Sequence, residues 1–266
     1  MSLTALPPSS PPVGVLLREW RQRRRRSQLD VALDAAVSQR HLSFVESGRA
    51  TPSREMVVRL AEQLDVPLRE RNRLLRAAGY APLYAERAPD DPAMLRAVEL
   101  VLRTHLPHPA LAVDRHWRMV AANAAVAPLL AGVTEPALLA PPVNVLRLSL
   151  HPGGVAPRIA NLAAWRAHVL ERLRRQVEAS GDAVLRALLE ELAALGGASA
   201  GHEAAVPASG GIVVPLELES TAGRLSLILT TTVFGTPTEV ALSELAIEAF
   251  YPADDATARR LAELCG

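Results

Sequence analysis

The chain has 266 residues, 49% of them hydrophobic, enough for one large core or two modest ones. Cys265 is the single cysteine, which excludes an internal disulfide, and no apolar run reaches the roughly 20 residues that span a bilayer. With a Pro- and Ser-rich start that lacks a signal-like apolar stretch, this points to a soluble cytoplasmic protein with no membrane partner. The net charge of +1 conceals an asymmetry, because residues 1–80 hold 14 Arg against 8 acidic residues and the other 186 hold 15 against 20. A basic N-terminal third is what a polyanionic partner requires.

Residues 1–12 read as a disordered tail. A first helix is predicted from Val13 to Arg25, with Val13, Leu16, Leu17 and Trp20 on its buried stripe. It ends in the run Arg21 to Arg26, interrupted only by Gln22. Arg23 and Arg24 within that run are candidates for phosphate contact, although a run of this kind also serves as a solvated face.

Ser27 to Arg49 spells two short helices joined by a tight turn. Ser27 is placed to cap the first, in which Leu29, Val31, Ala32 and Ala35 form a mostly inward set. Ser38 is placed to cap the second, whose Leu42 and Val45 share a face and which Gly48 ends. The opposite face gathers Gln39, Arg40, His41 and Ser43, hydrogen-bonding groups at a helix N-terminus, where the dipole also favours phosphate. Gln suits adenine and Arg suits guanine in the major groove. From spacing alone, an ordinary helix pair in a bundle reads the same way.

With Thr51-Pro52-Ser53 and the helices that follow, this segment resembles the helix-turn-helix of the phage-repressor (Cro/CI, XRE) family. The resemblance implies that Gln28 meets a backbone phosphate, that Gln39, Arg40 and His41 face base edges, and that Ser38, Ser43 and Arg49 belong to the same DNA-binding surface. Ala36 stands where the family usually has Gly. Phe44 stands where many members place a polar reader, and it either packs or touches the backbone or a thymine methyl. Two further helices, one capped by Ser53 and one starting after Pro67 and ending at Gly79, complete a five-helix head over residues 13–80.

Residues 81–92 read as a Pro-containing linker. Then come a helix from about Ala93 to Thr104, two short strands (Ala110–Asp114 and Arg118–Ala122) and a helix begun by Asn123. Asn144 caps a further short helix, and a long helix follows Asn161. In that long helix Leu162, Trp165, Val169, Leu173 and Val177 form an apolar stripe while Glu171, Arg172, Arg174 and Arg175 stay wet. Ser180-Gly181-Asp182 starts another helix, Ala183 to Leu195, and residues 196–211 are loose and Gly-rich. A hairpin pairs Ile212–Glu219 with Leu225–Phe234, a fifth strand spans Glu244–Tyr251, and Asp254 or Asp255 caps a closing helix. The fold class is therefore α+β, a helical head followed over 93–266 by a five-stranded antiparallel sheet with inserted helices on one face.

Trp117 to Ala124 and the last three strands resemble a PAS-type sensor. The pieces His41 to Glu46, Pro142 to Arg147, Leu150-His151-Pro152, Asn161 to Arg166 and Thr230 to Pro237, in that order, resemble the MmyB-like transcriptional regulators. That resemblance implies a DNA-binding head joined to a PAS-like domain that holds a fatty acid or another apolar effector. The pocket wall expected from the residues combines Val120, Leu146, Leu162, Trp165, Leu227, Leu229 and Phe234. Arg147, His151, Arg158, Asn161 and Arg166 are candidate anchors for an anionic head group. Asn144 joins that set, and both asparagines serve equally well as helix caps.

There is no lysine for a phosphate loop, no nucleophile elbow and no zinc-protease motif, so an enzyme is not expected. Nor is a cofactor, beyond the effector. His105, His108 and His116 are near enough in sequence to hold a metal, but scattered surface histidines are the plainer reading. The expected partners are a double-stranded DNA operator and, because one head reads only a half-site, a second copy in a homodimer. The competing reading is an antitoxin-like or protein-interaction module that binds DNA only for autoregulation; a co-purifying toxin would favour it.

Overall fold

The computed structural model describes residues 11–88, 91–195, 213–235 and 239–265. Most of the expected tail, the Gly-rich 196–211 stretch, the start of the strand expected from Ile212 and the Thr236-Pro237 end of the last family-like piece lie outside these residues. The chain divides into two compact units, the first running to Arg87 and the second from Ala88 onward, with Val240 grouping with the first.

The first unit is five helices: α1 (Val13–Arg23), α2 (Gln28–Asp34), α3 (Gln39–Glu46), α4 (Arg54–Gln63) and α5 (Leu68–Ala77). Ser27, Ser38 and Ser53 cap α2, α3 and α4, each accepting from the backbone N–H three residues on. Asp30 returns the Ser27 bond, closing a capping box. Every helix of the head ends in the same way. Arg25, Ala36, Gly48, Asp65 and Gly79 all take positive φ. The next N–H reaches back five residues in each case, from Arg26 to Arg21, Val37 to Ala32, Arg49 to Phe44, Val66 to Ala61 and Tyr80 to Leu75. These are five Schellman motifs, only two of them built on glycine.

The core joins Leu16, Leu17, Trp20, Val31, Ala32, Leu42, Val45, Leu60, Leu74 and Leu75. Leu29, expected to point inward, is half exposed, because α2 turns only Val31 and Ala32 to the core. α1 crosses α3 so closely that a Cβ on Gly14 would lie 2.1 Å from the Val45 carbonyl oxygen. The segment expected to be a linker is tied to α5 instead. The fully buried Asn72 accepts from the N–H groups of Leu83 and Tyr84 and donates to the Tyr84 carbonyl and the Glu86 carboxylate.

The second unit is a five-stranded antiparallel sheet in the order β2-β1-β5-β4-β3. Its strands are β1 (Ala110–Val113), β2 (Met119–Ala122), β3 (Leu216–Ser220), β4 (Gly223–Val233) and β5 (Ala246–Pro252). Alternation divides the strands between two cores. Ala110, Ala112, Ile247 and Ala249 face α6 (Pro92–Thr104) through Met94, Val98 and Leu102. Leu111, Val113, Leu216, Leu218, Leu225 and Leu227 face the larger core. That core includes the inserted helices α7 (Ala127–Leu130), α8 (Val145–Leu150), α9 (Leu162–Ser180) and α10 (Ala183–Ala194). The sheet thus carries helices on both faces, not one, because α6 is itself apolar on the side it turns to β1 and β5. α11 (Val240–Ser243) precedes β5, and α12 (Asp255–Cys265) packs Leu261 into the larger core.

Chain segments hydrogen-bond alongside both edge strands. Met119 and Trp117 exchange backbone bonds with Val143 and Val145 beside β2, and Ala160 donates to Glu217 of β3. Asn161 stands at the start of α9, but its side chain does not cap it; the amide joins the Pro215 carbonyl to the Glu217 N–H. Asn144 does cap α8, accepting from the Arg147 N–H, while its amide donates to the His116 carbonyl.

Candidate nucleic-acid interface and ligand cavity

In the head, α3 presents Gln39 and Arg40 to solvent, with His41 and Ser43 half-buried beside them. Ser38 holds its hydroxyl on the His41 N–H. Phe44 lies between two guanidinium groups, with Arg40 at 5.4 Å and Arg49 at 6.0 Å from its ring centroid. The ring pre-sets two cations on the exposed side of α3, a contact that favours guanidinium over ammonium.

Behind this face sits a buried carboxylate. Glu46 receives Arg21 in bidentate fashion at 2.7 and 2.9 Å, and Gln28 donates to it at 2.8 Å. The hydrogen bond to Glu46 raises the pKa of the Arg21 guanidinium further. The Gln28 amide expected at a phosphate is thereby fixed against α3. The arginine run is also structural for the most part. Arg24 donates to the Leu64 and Asp65 carbonyls and Arg26 to the Gln63 carbonyl, satisfying the C-terminus of α4. Arg23 lies over the Trp20 ring at 4.5 Å.

In the second unit, α7, α8 and α9 stand off the sheet and leave an apolar cavity. Counted with its open mouth it encloses about 920 Å³ of empty space. Leu111, Trp117, Met119, Leu129, Leu146, Leu148, Trp165, Val169, Leu229 and Phe250 supply most of the wall. Four residues of α9 face it, Trp165, His168, Val169 and Arg172, the spacing of one helical face.

The polar groups of the cavity are few and specifically placed. Arg172 donates to both oxygens of Glu248, at 2.9 and 2.8 Å, and to Thr231 at 2.7 Å. Thr231 also donates to Glu248, its cross-strand partner. The Arg172 guanidinium lies 4.5 Å over the Trp117 ring, and Trp117 donates to Gln176. Trp165 donates to Ser149 and stacks on His168. Burial, then the nearby Arg172 and Arg175, hold the His168 imidazole below its ordinary value, with Glu248 opposing.

The model of the MmyB-like transcription regulator ligand-binding domain matches residues 94–264, well over half of the chain, and a helix-turn-helix model matches residues 17–71. The chain belongs to the MmyB-like transcription regulators. It is a ligand-responsive DNA-binding regulator, with α2 and α3 as its helix-turn-helix and a PAS-like sheet as its ligand-binding domain. No protein curated for function matches it.

Within this MmyB-like domain the sequence-derived wall and the cavity overlap only in part. Leu146, Trp165 and Leu229 line it. Leu227 is buried in the core beside it and Leu162 packs at the edge of that core. Val120 and Phe234 belong to the other face of the sheet, with α6, because their strand positions alternate away.

The candidate anion anchors all lie outside the lining and are engaged elsewhere. Arg147 forms a bidentate pair with Glu191, Arg158 donates to the Leu129 carbonyl, and Arg166 donates to the last carbonyls of α10. His151 accepts from the Gly153 N–H, and Asn144 and Asn161 serve the backbone as described. Arg172, expected to stay wet, lies on the cavity wall, because Glu248 draws it over the edge of the helix stripe.

The sequence carries a signal for this pair. Glu248 alternates with Ala246 and Phe250 on the inner face of an apolar strand, where a carboxylate needs a buried cation. The three nearby histidines separate: His105 and His108 flank Tyr251, while His116 pairs with Asp182 at 3.0 Å.

Proposed function

We propose that the protein binds an operator as a homodimer in the cytoplasm, each head laying α3 in the major groove. On this reading an apolar small molecule with a fatty-acyl-like body, held in the cavity, sets the affinity. One observation carries it: the same chain holds an exposed Gln39–Arg40 edge on a helix-turn-helix and an open, mostly apolar cavity in its sensor domain. An effector changes operator binding only if it favours one arrangement of the heads over another.

Two measurements test the reading. Arg40→Ala should weaken specific operator binding by about 1–3 kcal/mol while leaving nonspecific binding nearly intact. A footprint on the cognate operator that is unchanged by the substitution overturns the recognition assignment. Native mass spectrometry of the purified protein should show an apolar adduct that is lost on organic extraction, and an extract without one overturns the effector assignment alone.

A further inference from the structure

Among the side chains lining the cavity, the Arg172–Glu248 pair supplies the formal charges, and the two compensate each other. Nη1 and Nη2 each donate to one carboxylate oxygen and Nη2 also to Thr231, three of the five guanidinium N–H groups, while the Thr231 hydroxyl donates to the same carboxylate. Glu248 is 3% exposed and its side chain lines the cavity from the strand face that also carries Ala246 and Phe250. An anion brought to Arg172 therefore arrives beside a second, buried anion. Its attraction to the cation is cancelled at similar distance, while its loss of hydration is not.

What the cavity still offers is neutral. Ser149 uses its oxygen to accept from Trp165 and keeps its own hydroxyl proton for a ligand. The His168 ring is stacked on Trp165 and makes no hydrogen bond to a described side chain. The candidate cations that could have served a carboxylate, Arg147, Arg158 and Arg166, are outside the lining and bound to protein oxygens.

We propose that the cavity selects an uncharged amphiphile, a long apolar body ending in one neutral hydrogen-bonding group such as an alcohol or ester, over the carboxylate of the same length. This rests on the effector reading above and narrows it: the Arg172–Glu248 pair acts as a filter on head-group charge.

Calorimetry on the full chain with decanol and decanoate at about pH 8, where the acid is ionised, tests it. Decanol should bind at least about tenfold more tightly than decanoate. Glu248→Gln leaves the Arg172 charge uncompensated and should bring decanoate to within about threefold of decanol or beyond. The double variant Arg172→Met with Glu248→Gln removes both charges, guards against a misfolded single variant, and should keep decanol binding with decanoate still weak.

Decanoate binding as tightly as decanol to the unaltered protein overturns the filter while leaving an apolar effector in place. Loss of measurable decanoate binding only in the double variant, with strong binding before, overturns it by making Arg172 the anchor. Failure of both probes to bind any form overturns the effector reading itself.

Discussion

Ala36 holds a φ of +52° at the turn between α2 and α3, where its Cβ crowds the following carbonyl. Ala36→Gly relieves that crowding, offset in part by a freer unfolded chain, and should stabilise the head by about 0.5–1 kcal/mol, read as a higher urea midpoint. Gly48 and Gly79 were visible as helix ends because glycine advertises positive φ. Arg25 and Asp65 adopt it too, and nothing in their side chains says so; the fold imposes the motif through the bond from the next N–H. His168 illustrates a second kind of hidden information, since its environment comes from α9 meeting β5. Its folded value lies below the ordinary 6.5, so the unfolded chain takes up the proton first as pH falls. Stability supplied by the neutral ring is present above 6.5 and lost on acidification below it. His168→Gln should flatten the decline in unfolding free energy between about pH 7 and pH 5, measured by urea titrations at each pH.

At the scale of elements, α5 does more than close the head, because Asn72 gathers residues 83–86 with all the hydrogen bonds its amide makes. Asn72→Ala would strand two N–H groups and a carbonyl, at a cost of about 1–3 kcal/mol, and should open the chain near Leu83 to limited proteolysis before the helices unfold. The prolines of residues 81–92 suggested a linker there, and an Asn flanked by arginines in α5 reads as a solvated residue and gives no sign of the anchor. The helix caps were legible because Ser27, Ser38, Ser53 and Asn144 act within three residues of themselves. The cavity was legible as a class of site, through its family pieces and through Trp165. Its charged pair was not, because Arg172 and Glu248 are 76 residues apart and only the packing of α9 against β5 brings them together. Val120 and Phe234 went to the wrong side for the same reason. A strand's alternation separates its two faces, but which face meets α9 is fixed by the order of the strands.

Across the whole molecule, the excess of arginine in residues 1–80 overstates the number of phosphates a head can neutralise. Arg21, Arg24 and Arg26 hold carbonyls or carboxylates of the protein itself. Salt titrations of operator binding should show this division. Arg49→Gln should lower the slope of log affinity against log salt by about 0.9, whereas Arg24→Gln should lower the stability of the head and leave the slope nearly unchanged. The charge asymmetry, the helical head and the five antiparallel strands could all be read from composition and period; the second helical layer over β1 and β5 could not, since α6 alone looks like any amphipathic helix. Finally, chain runs alongside both outer strands, Val143 and Val145 beside β2 and Ala160 beside β3, but β3 accompanies β4 only as far as Leu227. Past that point Ile228–Val233 of β4 is bonded, among the described residues, on its β5 side alone, the kind of margin on which a further strand is added.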